Sequence, residues 1–233
     1  MPSTKLGKLI ISYINSREFH SIKNEIFNTQ IYATKLQSET PIILDIGAHI
    51  GLATLYFKQQ WPGGTVFAFE PNPVAFKLLE ENIWQNGLQN VEAYNIAIAG
   101  SDGKRKLYIP ANDVSWDSNS SFTNGSWSKQ EAQQPVEIEA RRLAKILEKL
   151  DKVDLLKIDV EGAEFEIFKD IQKNLMKINE MIIEIHPESR QRFKEMTARL
   201  LADDFTIEIW QNGKIVRQPD FSKLFIMKAR QSA

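Results

Sequence analysis

Residues 41–51, PIILDIGAHIG, are the stretch of this sequence that decides the fold. Their opening apolar run predicts a buried parallel strand. An acid, two glycines and apolar residues at helical spacing follow, namely Asp45, Gly47, Gly51, Leu52, Leu55 and Tyr56. A strand, a glycine turn and a helix are together typical of a site for a nucleotide-type cofactor, because glycine lets a ligand approach and the helix start offers free N–H groups.

The spacing within this stretch indicates the kind of ligand. A dinucleotide site has the pattern G-x-G-x-x-G, whereas position 49 is His and no third glycine follows Gly51. The Asp45 carboxylate at the strand end would repel a phosphate but suits an ammonium group. Glu70 closes the next apolar run, and an acid ~20 residues further along typically binds ribose hydroxyls. An amino-acid end plus a ribose predicts S-adenosylmethionine, and a glycine loop without any ligand remains the alternative.

From Pro41 onward, strand and helix patterns alternate, which predicts an α/β fold with a parallel, doubly wound sheet. Predicted strands lie at about 42–46, 65–69, 91–96, 106–109, 136–140, 153–158 and 181–185. Predicted helices lie at about 50–60, 73–87, 141–150, 165–175 and 188–202. Antiparallel strands are predicted at the C-terminus, at 205–210, 215–216 and 224–227, because an Asn-Gly turn separates the first two of these segments.

Residues 1–40 are predicted to form an N-terminal helical cap on the domain of residues 41–233. Several apolar side chains share one helical face, namely Leu6, Leu9, Ile10, Tyr13 and Ile14. Such a helix would pack on the sheet, cover the substrate cleft as a lid, or contribute to a homodimer contact, and the pattern does not separate these roles.

Residues 110–135 interrupt the alternation with a segment rich in Ser, Asn and Gln. A loop of this length is either functional or mobile. Because Trp116 and Trp127 lie in this polar setting, we expect a lid or substrate-binding loop, with a plain mobile insertion as the alternative. The two rings would stack on a sugar or aromatic acceptor, or pack the loop down.

The composition excludes several classes of protein. The chain has 233 residues, no cysteine and a net charge of -1. Disulfides, cysteine-based zinc sites and a cysteine nucleophile are therefore excluded, and nothing favours nucleic acid or an anionic membrane as a partner. No apolar run approaches the ~18 residues of a membrane span, and the N-terminus lacks the apolar core of a signal peptide, so we expect a cytoplasmic protein.

Five motifs in order resemble the class I S-adenosylmethionine-dependent methyltransferases, and most closely the FkbM family. They are DIGAHIG at 45–51, FEPNP at 69–73, NIAIAG at 95–100, KIDVEGAE at 157–164 and EIHP at 184–187. The resemblance implies a Rossmann-like three-layer α/β/α sandwich whose seven-stranded, mostly parallel sheet ends in an antiparallel hairpin. It also implies methyl transfer, usually to an oxygen of a small molecule or sugar, with S-adenosylhomocysteine as the product.

The same resemblance implies which residues bind the cofactor. Asp45, Gly47 and Gly51 would line its methionine and ribose end, and Asp159 would face its amino-acid end. Glu70 would bind the ribose hydroxyls. The remaining expected contacts are Asn72 beside the ribose, Ile96 and Ala97 against adenine, and His49, which stands where many relatives have Asn.

A hydroxyl acceptor must also lose its proton, and His186 and Glu161 are the candidates for the catalytic base. The alternatives are that His186 orders a strand-end turn and that Glu161 caps a helix. Asp159, Glu161 and Glu184 offer oxygen ligands for Mg²⁺, but Asp159 is assigned to the cofactor, so we predict no metal.

Two other functions remain open from the sequence. A nicotinamide-dependent oxidoreductase would share the fold, although the missing third glycine and Asp45 argue against it. A cofactor-binding module without chemistry would require the acids at the strand ends to have no catalytic role.

Overall fold

The computed structural model of the protein describes residues 2–110, 133–186 and 190–232. The strands in these ranges are β1 (Ser3–Leu6), β2 (Leu9–Ser12), β3 (Ile42–Ile46), β4 (Thr65–Phe69), β5 (Val91–Tyr94), β6 (Ala97–Ala99), β7 (Gly103–Pro110), β8 (Gln133–Arg142), β9 (Leu155–Ile158), β10 (Glu180–Ile185), β11 (Phe205–Gln211), β12 (Lys214–Ile215) and β13 (Phe225–Gln231). Strands β3 and β4 coincide with the predicted segments 42–46 and 65–69.

The α-helices of the described residues are α1 (Ser16–Lys23), α2 (Leu52–Gln60), α3 (Pro73–Gln85), α4 (Leu143–Leu147), α5 (Glu164–Ile171) and α6 (Arg190–Ala202). A π-helical turn at Asn24–Asn28 continues α1, and a 3₁₀ turn spans Leu175–Lys177. Local chemistry explains where α3 begins, because Pro73 occupies its first turn and the Asn72 side chain accepts a hydrogen bond from the N–H of Val74. Within the described ranges, none of the helices has the length and hydropathy that crossing a bilayer requires.

The central sheet has the order β12-β11-β13-β10-β9-β3-β4-β5. Its five strands from β10 to β5 run parallel. Strand β13 lies between β10 and β11 and is antiparallel to both. The parallel strands therefore bring their carboxyl ends to one edge of the sheet, which is where ligands bind in open α/β sheets.

The predicted number of seven strands is wrong for the part of the chain that the structure describes, where the central sheet has eight. The eighth is β12, which adds only Lys214 and Ile215 to the outer edge after the Asn-Gly turn. The C-terminus is antiparallel as predicted, but β13 enters the sheet between β10 and β11 instead of extending a hairpin outward.

Alternating side chains of the sheet pack into two separate layers. Leu44 and Ile46 of β3 join a core cluster with apolar residues of α4, α5 and α6. Ile43 of the same strand joins a second cluster with residues of α1, α2 and α3. This period of two places helices on both faces of the sheet and confirms a three-layer α/β/α arrangement.

Strands β6, β7 and β8 form a separate three-stranded sheet that was not predicted. The strands predicted at 106–109 and 136–140 are the antiparallel pair β7 and β8, and β6 pairs in parallel with β8. Residues 111–132, which contain most of the predicted lid or substrate loop together with Trp116 and Trp127, lie outside the described residues.

The helix predicted for the start of residues 1–40 is wrong, because residues 3–12 form the hairpin of β1 and β2. Gly7 has φ +59° and turns the chain between the strands. The apolar residues of this segment are compatible with a helix or a strand. In the structure Leu9 and Ile11 are buried while Ile10 is exposed, which is the alternation of a strand. Asn82 on α3 fixes the hairpin: its Oδ1 accepts from the N–H of Ser12 at 2.7 Å and its Nδ2 donates to the Ser12 carbonyl at 3.0 Å.

Candidate active site

A cavity opens at the carboxyl ends of β3, β4, β9 and β10. Side chains and backbone of these strand ends form its floor, and the segment after α1 forms one wall. The residues that line it are Ile22, Glu25, Ile26, Ile31, Tyr32, Ile46, Gly47, Ala48, His49, Leu52, Ala53, Phe69, Glu70, Pro71, Asn72, Ala97, Ile98, Leu107, Lys157, Asp159, Val160, Glu161 and Glu184. Acids from four neighbouring elements therefore face one shared cavity.

The glycine turn after β3 shapes the cavity floor. Gly47 has φ +79°, and a Cβ at this position would lie 1.7 Å from the carbonyl oxygen of Asp159. Gly51 has φ +92°, and its Cβ would lie 2.8 Å from Cδ1 of Leu79 on α3. Both positions favour glycine, because other residues rarely adopt this backbone conformation, and at Gly47 a side chain would also collide with backbone.

A buried ion pair supports this turn from below. Lys157 on β9 places its Nζ 3.1 Å from Oδ1 of Asp45 and donates a hydrogen bond to the Gly47 carbonyl at 2.7 Å. Thr54 donates to the other oxygen of Asp45 at 2.7 Å. Burial alone would lower the pKa of Lys157, but the carboxylates of Asp45 and Asp159 outweigh it and raise that pKa. Asp45 therefore lies behind the cavity wall, and it acts on a ligand through Lys157 and the turn.

Glu70 presents a buried carboxylate at the end of β4. Its Oε2 accepts the N–H of His49 at 2.7 Å and its Oε1 accepts the N–H of Asn72 at 2.8 Å. Burial raises the pKa of Glu70 to about 7, although both backbone hydrogen bonds oppose the shift. Each oxygen keeps acceptor capacity beyond its backbone partner, so the carboxylate can accept two further donors from a ligand.

His49 stands between the two glycines with φ +52°. Burial lowers the pKa of its imidazole to about 4, so the ring is neutral at pH 7. Its Nε2 lies 3.5 Å from Oε1 of Glu18 on α1. The N-terminal segment thus contacts the glycine turn directly.

Asp159 follows β9 and receives two side chains on its Oδ2. The hydroxyl of Tyr32 donates to this oxygen at 3.2 Å, and Nζ of Lys157 lies 3.6 Å from it. Burial, followed by the negative charge of Asp159, raises the pKa of Tyr32 well above its usual range, so the phenol remains a donor. The hydroxyl of Tyr32 therefore connects the N-terminal segment to the end of β9.

His186, after β10, is held between two carboxylates. Its Nε2 lies 3.0 Å from Oε2 of Glu161 and its Nδ1 lies 2.7 Å from Oε1 of Glu164. Burial alone would lower the pKa of His186, but the hydrogen bonds to Glu161 and Glu164 raise it to about 11. A protonated ring with both nitrogens engaged cannot accept a proton at neutral pH, and its geometry suits an organising role.

Glu184 also faces the cavity from the end of β10. Among the residues that the structure describes, its side chain has no hydrogen bond or ion pair. One of its oxygens lies within 4.8 Å of an Asp159 oxygen and a His186 ring nitrogen. Burial and the charge of Asp159 raise the pKa of Glu184 well above its usual range.

These three residues do not form a metal site as they stand. Asp159, Glu184 and His186 each offer one ligand atom within that distance. A divalent ion needs a neutral imidazole nitrogen, whereas both nitrogens of His186 contact carboxylates. The absence of a metal stays a prediction.

The structure brings most of the predicted site residues to the cavity: Gly47, His49, Glu70, Asn72, Ala97, Asp159 and Glu161 line it. Ile96 instead packs against the core beside β6, and Ile98 takes a place in the wall. Gly51 and His186 support the wall from outside. Trp116 and Trp127 lie outside the described residues.

Sequence reasoning missed several residues that line the cavity. Lys157 was available within the KIDVEGAE motif, two residues before Asp159 on the same face of β9. Glu184 was considered from the sequence only as an oxygen ligand for Mg²⁺. Nothing in the sequence indicated that Tyr32 and Glu25 line the cavity, because the segment that contains them has no clear periodic pattern.

Comparison with known proteins agrees with this architecture. A family model described as Methyltransferase FkbM domain matches residues 45–210. Methyltransferase sdnD of Sordaria araneosa is 31% identical over 185 residues, covering 69% of this chain and 71% of the relative. Methyltransferase 1 of Beauveria bassiana is 26% identical, covering 92% and 91%. The 31-O-demethyl-FK506 methyltransferase FkbM of Streptomyces tacrolimicus is 25% identical, covering 84% and 85%.

Solved structures share the fold. The crystal structure of methyltransferase FkbM from Methylobacillus flagellatus KT superimposes with a TM-score of 0.55 at 15% identity, covering 85% of this chain and 46% of that one. The precorrin-6y C5,15-methyltransferase of Geobacter metallireducens GS-15 superimposes with a TM-score of 0.51 at 13% identity, covering 89% and 87%. At these identities the likeness concerns the fold alone.

Proposed function

The chain belongs to the FkbM methyltransferase family, and on that premise we propose that it transfers the methyl group of S-adenosylmethionine to a hydroxyl oxygen of a small molecule or a sugar. When bound, the cofactor supplies an electrophilic methyl group on a positively charged sulfur. The protein's largest contribution is to hold the two reactants in line.

One observation carries the cofactor assignment. The buried Glu70 carboxylate and the Gly47 turn lie side by side on neighbouring strands of the sheet. Glu70 offers two acceptor oxygens, which match the paired hydroxyls of a ribose. Gly47 carries no side chain, so the turn packs its backbone directly against the Asp159 carbonyl, where a Cβ would collide. An acid beside bare backbone fits a nucleoside without a phosphate better than it fits a pyrophosphate.

The other residues take their proposed roles from this placement. Asp159, held by Tyr32 and Lys157, faces the amino-acid end of the cofactor. Asn72 and His49 flank the ribose. Ala97 and Ile98 form the apolar wall against adenine, while Gly51 and Asp45 keep the turn in its shape.

The acceptor end lies one strand further along the sheet. The four ends that carry Glu70, Gly47, Asp159 and Glu184 belong to β4, β3, β9 and β10, which are successive neighbours. A cofactor that spans the first three leaves the end of β10 for the acceptor. His186 and Glu161 lie there, and we propose that their ion pair positions the acceptor and the β10 end.

The N-terminal segment is proposed to select the acceptor. Ile22, Glu25 and Ile26 line the cavity, and they precede residues 45–210, which match the family model. Their wall combines apolar surface with one carboxylate. The names of relatives differ in the position or acceptor that they give, as in 2-O-methyltransferase NoeI of Sinorhizobium fredii and hexuronic acid methyltransferase AglP of Haloferax volcanii. Because this wall lies outside the part that matches the family model, changes in its residues would alter the acceptor that fits without changing the cofactor site.

Calorimetric titration with S-adenosylhomocysteine and S-adenosylmethionine tests the cofactor assignment. We expect wild-type protein to bind both, and Glu70→Ala to lose at least about 10-fold in affinity, since hydrogen bonds to a charged group contribute about 1.5–3 kcal/mol each. Glu92→Ala, which removes an exposed acid from β5, is the matched control and is expected to bind normally. Equal affinity of Glu70→Ala and wild type, with both folded, would show that the site is misassigned.

Methyl transfer itself is tested with methyl-labelled cofactor and a panel of monosaccharides and hydroxylated natural products. Label in an alkali-stable ether supports an oxygen acceptor, whereas label in an amine points to nitrogen. Tight cofactor binding with no labelled product from any pool would favour a binding module without chemistry.

A further inference from the structure

The Glu184 carboxylate has a place in the reaction that neither the family match nor its neighbours assign. It lines the cavity at the end of β10, beyond the strand ends proposed to hold the cofactor. The nearby acids each have partners: Asp159 contacts Lys157 and Tyr32, and Glu161 contacts His186. Among the described residues, Glu184 alone of these acids has no such contact.

Glu184 is partly buried, and its carboxylate faces the cavity beside other acids without a hydrogen-bond donor from the described residues. The charged form of such a group is disfavoured until it gains a proton or a donor from a ligand. On the basis of the proposed function, we propose that Glu184 is the catalytic base, which takes the proton of the acceptor hydroxyl as the methyl group is transferred. In that step the acceptor O–H bond breaks and an O–C bond forms to the methyl carbon. The C–S bond breaks, its electron pair stays on the sulfur, and the proton goes to a carboxylate oxygen of Glu184.

The charges around Glu184 explain how its protonation follows the reaction. The charged and titratable groups around Glu184 come from every neighbouring element: Tyr32 from the N-terminal segment, Lys157 and Asp159 from β9 and its end, Glu161 from the next loop, and His186 from just after β10. Burial and the charge of Asp159 raise the pKa of Glu184, which favours the protonated carboxyl while the cofactor is absent. A positively charged sulfur close by lowers that pKa and releases the proton.

The sulfur is neutral after methyl transfer, so the same field then favours the protonated acid. Glu184 therefore keeps the proton that it has taken until the products leave. The two candidate bases predicted from the sequence fit this step less well, because His186 is already protonated and Glu161 is its partner.

Proton release on ligand binding tests this inference without knowledge of the acceptor. S-adenosylmethionine and S-adenosylhomocysteine are titrated into the full chain in phosphate and in Tris, whose ionisation enthalpies differ. We expect wild type to release more protons with the methylated ligand than with the demethylated one, with a difference approaching one per site. Glu70 contributes equally to both titrations, because both ligands carry the ribose, and it cancels in the difference.

Glu184→Gln should abolish this difference while its affinity for S-adenosylhomocysteine stays within about 3-fold of wild type. Glu208→Gln, an exposed acid on β11, is the control and should behave as wild type. If Glu184→Gln does not fold, Glu184→Asp keeps the carboxylate and should retain the difference. Equal proton release for both ligands in wild type, or a difference that persists in Glu184→Gln, overturns the inference.

Two further outcomes are informative. Magnesium chloride that binds wild type but not Glu184→Gln would assign the carboxylate to a metal ion and would also overturn the inference. Wild type that binds neither nucleoside ligand would instead refute the proposed function on which it rests.

Discussion

The ammonium group of Lys157 lies 3.1 Å from Oδ1 of Asp45, and both side chains are almost completely buried beneath the glycine turn. Because Lys157 also donates to the carbonyl of Gly47, one cation connects strands β3 and β9 to the turn. Buried pairs of this kind are sensitive to the loss of one partner, since the other charge is left in a medium of low polarity.

Lys157→Met removes the cation and keeps most of the apolar volume. We expect it to lower the free energy of unfolding by about 3–5 kcal/mol, because Asp45 would then be buried without its partner. Chemical denaturation followed by circular dichroism measures the change. Lys104→Met, which breaks an exposed ion pair with Glu137, should leave the free energy of unfolding nearly unchanged, because solvent screens such a pair. Similar losses in the two variants would contradict the role given to the buried pair.

Gly47→Ala should damage the turn far more than the same change at Gly87. Both glycines have positive φ, +79° and +59°, so each substitution carries a backbone cost of about 1–2 kcal/mol. At Gly87 a Cβ meets nothing within 4 Å, whereas at Gly47 it meets the Asp159 carbonyl. We expect Gly87→Ala to lose only the backbone term, and Gly47→Ala to lose several times more and to stop binding the cofactor. Thermal melts and ligand titrations of the two variants measure these losses. Equal losses of stability would show that Gly47 does not lie against the Asp159 carbonyl.

Affinity for S-adenosylhomocysteine should depend on pH through Glu70. Its pKa is raised to about 7, so below pH 7 the carboxyl is protonated and must lose a proton before it accepts both ribose hydroxyls. The dissociation constant should therefore rise by up to tenfold for each pH unit below about 7 and level off above it. Titrations between pH 5.5 and 8.5 measure the profile.

The matched control for this profile is Glu70→Gln, which cannot ionise. Its affinity should be weaker than that of wild type at pH 8 and nearly flat across the same range. A wild-type profile that is also flat would mean that Glu70 does not ionise on binding.

The strands that form the floor of the site could be predicted from the sequence because local and global signals agree there. Residues 42–46 and 65–69 are short, mostly apolar runs rich in β-branched and aromatic residues, and turn residues bound them, so a strand fits them best. The N-terminal hairpin could not be predicted, because Leu6, Leu9 and Ile10 have helical spacing while Leu9 and Ile11 have the spacing of a strand face. Its tertiary contacts with Asn82 decide between them, and such contacts are not visible in sequence.

Some features of the site could likewise be predicted from the sequence, and others could not. Acids that follow strands could be predicted, since parallel strands end at one edge. Their protonation could not, because it depends on which neighbours they meet: Glu164 and Glu161 close on His186 only after α5 packs beside β10. A lid over the substrate cleft was one of the roles left open for residues 1–40, but the sequence did not predict which residues from Ile22 to Tyr32 form the wall, because this segment has no clear period.

Tyr32→Phe removes one hydroxyl from the wall of the cavity. The hydroxyl donates to Asp159, and the ring is buried against Phe57 with a centroid separation of 6.1 Å. The ring should stay in place while Asp159 loses a donor, so we expect cofactor affinity to fall by about 10-fold, the effect of one hydrogen bond to a charged group. Calorimetry measures it, with Tyr13→Phe as the control at a ring stacked on Phe19. Unchanged cofactor affinity in Tyr32→Phe would show that this hydroxyl has no role in cofactor binding.

His186 should make the stability of the protein depend on pH in the alkaline range. Its pKa is about 11 in the folded protein, above its ordinary value of about 6.5. The folded state therefore binds one more proton between these values, so the stabilisation is complete below pH 6.5, declines above it and is lost as the pH rises through 11. Denaturation of wild type and His186→Gln between pH 6 and pH 10 measures this, and their difference in unfolding free energy should shrink steadily. A difference that stays constant over this range would show that the ring is neutral between Glu161 and Glu164.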